Sequence, residues 1–309
     1  MSCDLPKLSK VYQNHHINST RWEKFSPRKD DIFIVGSFRA GTTWIQNVVR
    51  HLVLRDSNEM LPLGLYSPTL ELRLQSIEHV IDALEGQKHR RCVKTHLPVN
   101  GIPYFGEAKY IVVGRDPRES FMSLWDYYRD LTDDFLILIN EKLDGPVENP
   151  LLPCPLEIGS FWYQWITKGA FEWEREGYPF GSTIDHIQGW WNFRNLPNLL
   201  FVHYRDMLDS PDGEISRIAE FLEERVTNSQ VESIVEQTSF ASMKEEAESL
   251  QIPLSGALKA GATGFINKGV PERWNRALAP EDLSLYKDTV SRIMSPACLE
   301  WIENGSNKS

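Results

Sequence analysis

Gly36-Ser37-Phe38-Arg39-Ala40-Gly41-Thr42-Thr43 reads G-x-x-x-x-G-T-T, a spacing suited to holding an oxyanion. Glycines let the backbone approach an anion closely, and the start of a following helix offers unpaired N–H groups with a partial positive charge. Two hydroxyls in that first turn add donors. The pattern departs from a nucleotide-triphosphate loop at one place, because Thr42 stands where the lysine is required. Gly-x-x-x-x-Gly alone suits a plain strand–turn–helix equally well; Arg39, Thr42, Thr43 and Trp44 favour an anion site. Charge narrows the reading further. Among 309 residues, 33 Lys+Arg face 43 Asp+Glu, a net charge of −10. Such a surface repels nucleic acid, so an anion needs a local basic pocket and each cation's position is informative.

The elements that must position this loop are legible as strands alternating with helices. Ile32–Val35 is a buried strand ending at Gly36, and Thr42–Leu54 follows as a helix with Trp44, Ile45, Val48, Val49 and Leu52 at helical spacing. Residues 92–93, 110–113 and Leu199–His203 are further strands. Helices are expected at about 117–129 and, after a Ser-Pro-Asp-Gly turn, at 213–223. The alternation predicts an α/β fold, a single domain with a mostly parallel central sheet flanked by helices and a P-loop-like strand–loop–helix. Residues 131–181 break the rhythm. They hold several prolines and an aromatic helix with Phe161, Trp162, Trp165, Phe171 and Trp173, read either as helix core or as the wall of a pocket. No apolar run approaches the ~18 residues of a membrane span. The first residues carry no signal-like apolar stretch, and the four cysteines are scattered, as in a reducing compartment. A soluble, cytoplasmic protein is expected.

Phe38-Arg39-Ala40-Gly41-Thr42-Thr43-Trp44 resembles the phosphosulfate loop of the soluble sulfotransferases, whose usual form is P-K-S-G-T-T-W. Four more segments resemble that family in its own order. They are Lys94-Thr95-His96-Leu97-Pro98, Val113-Gly114-Arg115-Asp116-Pro117-Arg118-Glu119-Ser120 with Ser123, Gln237-Thr238-Ser239-Phe240 with Met243, and Gly264-Phe265-Ile266-Asn267-Lys268-Gly269 with Trp274. One such motif is weak; five in order, spanning about 22–274, are specific.

The resemblance implies transfer of a sulfuryl group from 3′-phosphoadenosine 5′-phosphosulfate to a hydroxyl or amine of a small-molecule acceptor, with no metal. Arg39, Ala40, Gly41, Thr42 and Thr43 would hold the 5′-phosphosulfate, with Lys94 the second catalytic cation. His96 would be the general base, since an imidazole of ordinary pKa near 6.5 takes a proton at neutral pH. Arg115 and Ser123 would grip the 3′-phosphate, completed by Lys268 and Gly269. Adenine would lie between Trp44 and Phe240, with Thr238 as a polar contact; Met243 and Phe265 belong to the same implied site. Departures are visible. Arg39 replaces a lysine, Asn267 an arginine, and Ile184 a tyrosine on the adenine side. The K-x-x-x-T-V-x-x-x-E dimer motif is unmatched, with Asn275, Ala279, Pro280 and Ser284 at its positions, which points to a monomer. Two other classes compete: a P-loop kinase or NTPase, and a catalytically silent nucleotide binder. Trp125, Tyr127, Tyr128, Trp162 and Trp165 would suit a flat apolar acceptor, while the acidic stretch from Asp130 to Asp144 would suit a cationic one.

Overall fold

Four short strands, β1 (Ile32–Val35), β2 (Cys92–Thr95), β3 (Lys109–Gly114) and β4 (Leu199–His203), form a sheet in the order β2-β1-β3-β4. All three pairings are parallel, so every carboxyl end lies on one edge. A parallel sheet covered on both faces needs strands that are apolar throughout rather than alternating. Ile32, Ile34, Cys92, Ile111, Val113 and Val202 face one core, and Phe33, Val35, Val93, Tyr110 and Val112 the other. This computed structural model describes residues 5–57, 60–143, 147, 149–247, 249, 255–266 and 271–306.

Helix α1 (Thr42–Leu54) buries Ile45, Val48, Val49 and Leu52 against the first face, each worth about 1.5–3 kcal/mol of transfer from water. The helices Pro211–Leu222 and Asn228–Gln237 cover the rest of that face. The helices Pro117–Asp130, Ile158–Thr167, Ile184–Trp191 and Pro280–Ile293 pack on the other. The expected α/β architecture therefore stands, with two local corrections. Ser210-Pro211-Asp212-Gly213 is not a turn: Pro211 opens the helix, where its missing N–H costs no hydrogen bond. The aromatic helix stops at Thr167, so Phe171 and Trp173 lie beyond it and stack on each other at 5.5 Å. Phe161, Trp162 and Trp165 are fully buried around Phe121 and belong to the core.

Candidate active site

At the carboxyl edge of the sheet the strands stop and the chain must turn, leaving backbone and side chains to line a crevice. β1 ends in the loop of residues 36–41, whose last residue, Gly41, is the N-cap of α1 at φ 104° with no side chain capping the helix. Only glycine fits there: a Cβ would approach Tyr204 Cδ2 to 2.6 Å. The first-turn N–H groups of α1 have no intrahelical acceptor and point out of the helix end. Arg39 also has positive φ, at 67°, a conformation costing roughly 1–2 kcal/mol outside glycine.

These elements enclose a cavity of about 350 Å³. Arg39, Gly41, Thr42, Thr43, Trp44, Lys94, His96, Arg115, Ser123, Thr238, Phe240, Met243 and Phe265 all line it. Ala40, within the loop, is buried but is not among the lining residues. Asn267, Lys268 and Gly269 lie outside the described residues. Ile184, expected on the adenine side, is fully buried in the core and is not among the residues lining the cavity, whereas Tyr204, the first residue after β4, lines it. Of the five aromatics expected to suit a flat acceptor, only Tyr127 lines the cavity.

The cations differ in how they are held. Arg39 Nε donates to Ser123 Oγ at 3.0 Å and Nη2 to the Phe265 carbonyl at 2.9 Å. Its guanidinium lies 4.6 Å from the Phe265 ring centre and 5.4 Å from that of Tyr127. Burial lowers it to about 10, still charged at neutral pH. Lys94, from β2, is brought down to about 8, first by burial and then by the charge of Arg39. Arg115 lies over the Tyr204 ring at 4.2 Å. Its Nη1 donates to the Arg39 carbonyl at 3.3 Å, its Nη2 reaches Glu119 at 3.4 Å, and its Nε is buried with no partner among the described residues.

His96 follows β2 directly, and its Nδ1 lies 2.7 Å from the Gly36 carbonyl. A carbonyl only accepts, so Nδ1 carries the hydrogen and Nε2 the lone pair. Burial, then the charge of Lys94, holds the imidazole well below its usual 6.5, hence neutral. Two contacts that sequence did not suggest fix the ring. Phe38 stacks on it at 4.2 Å and 19°. The buried Glu71 carboxylate accepts from the His96 N–H at 2.7 Å, Thr95 Oγ1 at 3.1 Å and Trp22 Nε1 at 3.1 Å. No spacing announces Glu71; the place of Tyr204 was available from the rule that strand ends carry function.

A parallel sheet whose first crossover carries an uncapped helix start beneath two arginines and a lysine defines a binding fold for an anionic nucleotide. The chain belongs to the sulfotransferase family: the family described as Sulfotransferase domain matches residues 29–296. Glycolipid sulfotransferase of Mycobacterium bovis is 26% identical over 96% of this chain and 94% of its own. Mouse sulfotransferase 2B1 is 30% identical over 80% of this chain and 66% of its own. The fold matches that of mouse sulfotransferase SULT7A1 complexed with PAP, at a TM-score of 0.67 and 23% identity over 91% of each chain. Retinol dehydratase in complex with androsterone and inactive cofactor PAP gives 0.65 at 19% identity, covering 95% of this chain and 88% of its own.

Proposed function

We propose that this sulfotransferase moves a sulfuryl group from 3′-phosphoadenosine 5′-phosphosulfate to a hydroxyl of a small-molecule acceptor, with His96 as general base. The observation that carries this is the His96–Gly36 bond, which leaves a neutral imidazole with its Nε2 lone pair in the same cavity as Lys94. The residues present fit the donor. Arg115 Nε has no partner among the described residues, and Ser123 Oγ accepts from Arg39 while keeping its own hydrogen for a phosphate oxygen. Thr238 Oγ1 donates to the Ile234 carbonyl at 2.7 Å, so towards the cavity it can only accept, as an adenine amino group requires. Trp44, whose Nε1 has no partner among the described residues, and Phe240 line the same cavity and would flank the base.

When bound, the donor supplies an activated sulfuryl group on a phosphate leaving group. Lys94 places positive charge where the bridging oxygen gains it, the differential stabilisation that lowers a barrier. Arg39 is committed to Ser123 and Phe265, which makes Lys94 the principal cation and Arg39 the link between the two phosphate ends. His96 Nε2 accepts the proton of the attacking hydroxyl.

The decisive test is calorimetric titration of 3′,5′-ADP beside 5′-AMP and ATP–Mg²⁺, followed by labelled phosphosulfate transfer. Tight binding of 3′,5′-ADP alone is expected; preference for ATP–Mg²⁺ would make the loop a kinase site. The pH profile gives a second check. Lys94 is protonated below about 8 and loses its charge above it, so kcat/KM for the donor should fall as pH rises through about 8. No acidic limb is expected at 6.5, because His96 is already neutral there. Lys94→Arg should abolish the alkaline limb; its survival in that variant would remove Lys94 from the mechanism.

A further inference from the structure

We propose that Arg273 is a further phosphate-binding residue, a third arginine for the 3′-phosphate of the donor, brought to the site by its ion pair with Asp126. This rests on the reading that places that phosphate at Arg115 and Ser123. Arg273 lines the same cavity as Arg115, Glu119 and Ser123. Its Nη1 donates to Asp126 Oδ2 at 2.5 Å and its Nη2 to Oδ1 at 3.2 Å. The two side chains are 24% and 15% exposed, so the pair is largely covered. Asp126 stands one turn beyond Ser123 on the helix Pro117–Asp130, and positions so spaced share a helix face. The carboxylate therefore brings the guanidinium to the face from which Ser123 enters the site. Asp126 also acts on the charge of Arg39, the residue that donates to Ser123.

Three consecutive residues clasp this helix. The Glu272 N–H donates to Glu119, Arg273 pairs with Asp126, and the Trp274 ring centre lies 4.1 Å from the Arg118 guanidinium. Glu272 takes the left-handed φ of 60°, which residues other than glycine avoid. A tie on each side of Arg273 fixes its backbone, while its side chain keeps donors to spare. A guanidinium has five N–H groups, and two of them serve the carboxylate. The other three have no acceptor among the described residues.

Charge supplies the physical case. Arg39 and Arg115 share this end of the cavity with Glu119, and Asp126 lies next to them, so two positive charges meet two negative ones. A phosphate monoester carries about −1.5 to −2 at neutral pH and gains little from a balanced site. With Arg273 counted, the described residues here are positive by one. The sequence points the same way, because Asn267 stands where the resemblance implies an arginine.

The test titrates 3′,5′-ADP and 5′-AMP calorimetrically onto the unaltered chain, Arg273→Gln and Asp126→Asn. Glutamine keeps an amide donor toward Asp126 and removes the charge. Arg273→Gln should weaken 3′,5′-ADP about tenfold and leave 5′-AMP within about twofold, the worth of one charged contact partly open to solvent. Asp126→Asn leaves the guanidinium with a neutral partner and should tighten 3′,5′-ADP about two- to threefold. A pair that only fastens the chain to the helix would shift both nucleotides by the same factor, and that result overturns the proposal. Unchanged 3′,5′-ADP affinity in Arg273→Gln overturns it too. Asp126→Asn keeps the test valid if Arg273→Gln fails to fold, since weaker 3′,5′-ADP binding there is equally fatal. Arg115→Ala is the control for the underlying reading. If it leaves the preference for 3′,5′-ADP over 5′-AMP untouched, the 3′-phosphate lies elsewhere and both assignments fall. If Arg115→Ala removes that preference and Arg273→Gln does not, the role of Arg273 alone is refuted.

Discussion

His96→Ala should lower turnover by about 10²–10⁴-fold, the range for a lost general base, while 3′,5′-ADP affinity stays close to that of the unaltered chain. That loss corresponds to roughly 3–5 kcal/mol of barrier. The expectation comes from how the ring is held. Glu71 fixes the backbone N–H at 2.7 Å, Gly36 takes the Nδ1 hydrogen at 2.7 Å, and Phe38 covers one face, so only the Nε2 lone pair remains to act. The Gly36 contact raises a competing account, since Gly36 opens the anion loop and losing the imidazole could disturb the loop itself. His96→Asn separates the two. An asparagine amide can still donate toward the Gly36 carbonyl but accepts no proton near neutral pH. The Asn variant should be as slow as the Ala variant in single-turnover assays at saturating donor. Recovery in Asn would make His96 a positioning residue.

How much of this site was legible in sequence follows from how local each signal is. Ile32–Val35 and Thr42–Leu54 were legible to the residue because Asp31 and Gly36 bound the apolar run and Gly41 breaks the chain just before the helix. Three of the motifs converge because they follow β1, β2 and β3, whose carboxyl ends share an edge, while Thr238, Phe240 and Met243 reach the same cavity from helices. What stayed hidden depends on distance along the chain. Glu71 reaches β2 from 24 residues away in sequence, and nothing at its own position marks it. The aromatic stripe continues past Thr167 with plausible helical spacing, yet the backbone reverses there, where Gly169 pairs antiparallel with Gly177. Periodicity has no means of seeing such a reversal. Nothing in the sequence around His15 and His16 marks them as buried; that comes from their packing against Phe38 and Phe180.

Arg115→Ala should weaken 3′,5′-ADP by about 10–100-fold and leave 5′-AMP nearly untouched, the worth of a charge-assisted contact to one phosphate. Arg115 is under-satisfied by the described residues around it. Its contacts to the Arg39 carbonyl and to Glu119 are long, at 3.3 and 3.4 Å, and its Nε has no partner among the described residues. Tyr204 supports the guanidinium from one face at 4.2 Å, which orients it without consuming its donors. A phosphate oxygen arriving at this fork would find donors already aimed, with Ser123 Oγ as a further donor. Arg115→Lys keeps the charge but loses the fork, so its affinity for 3′,5′-ADP should fall between the two. The bond to the Arg39 carbonyl supplies the counter-argument, because losing it could loosen the loop that receives the 5′ end. In that case both nucleotides would weaken together, and the 3′-phosphate would have no claim on Arg115. The ratio of the two affinities, rather than either alone, therefore decides where the 3′-phosphate sits.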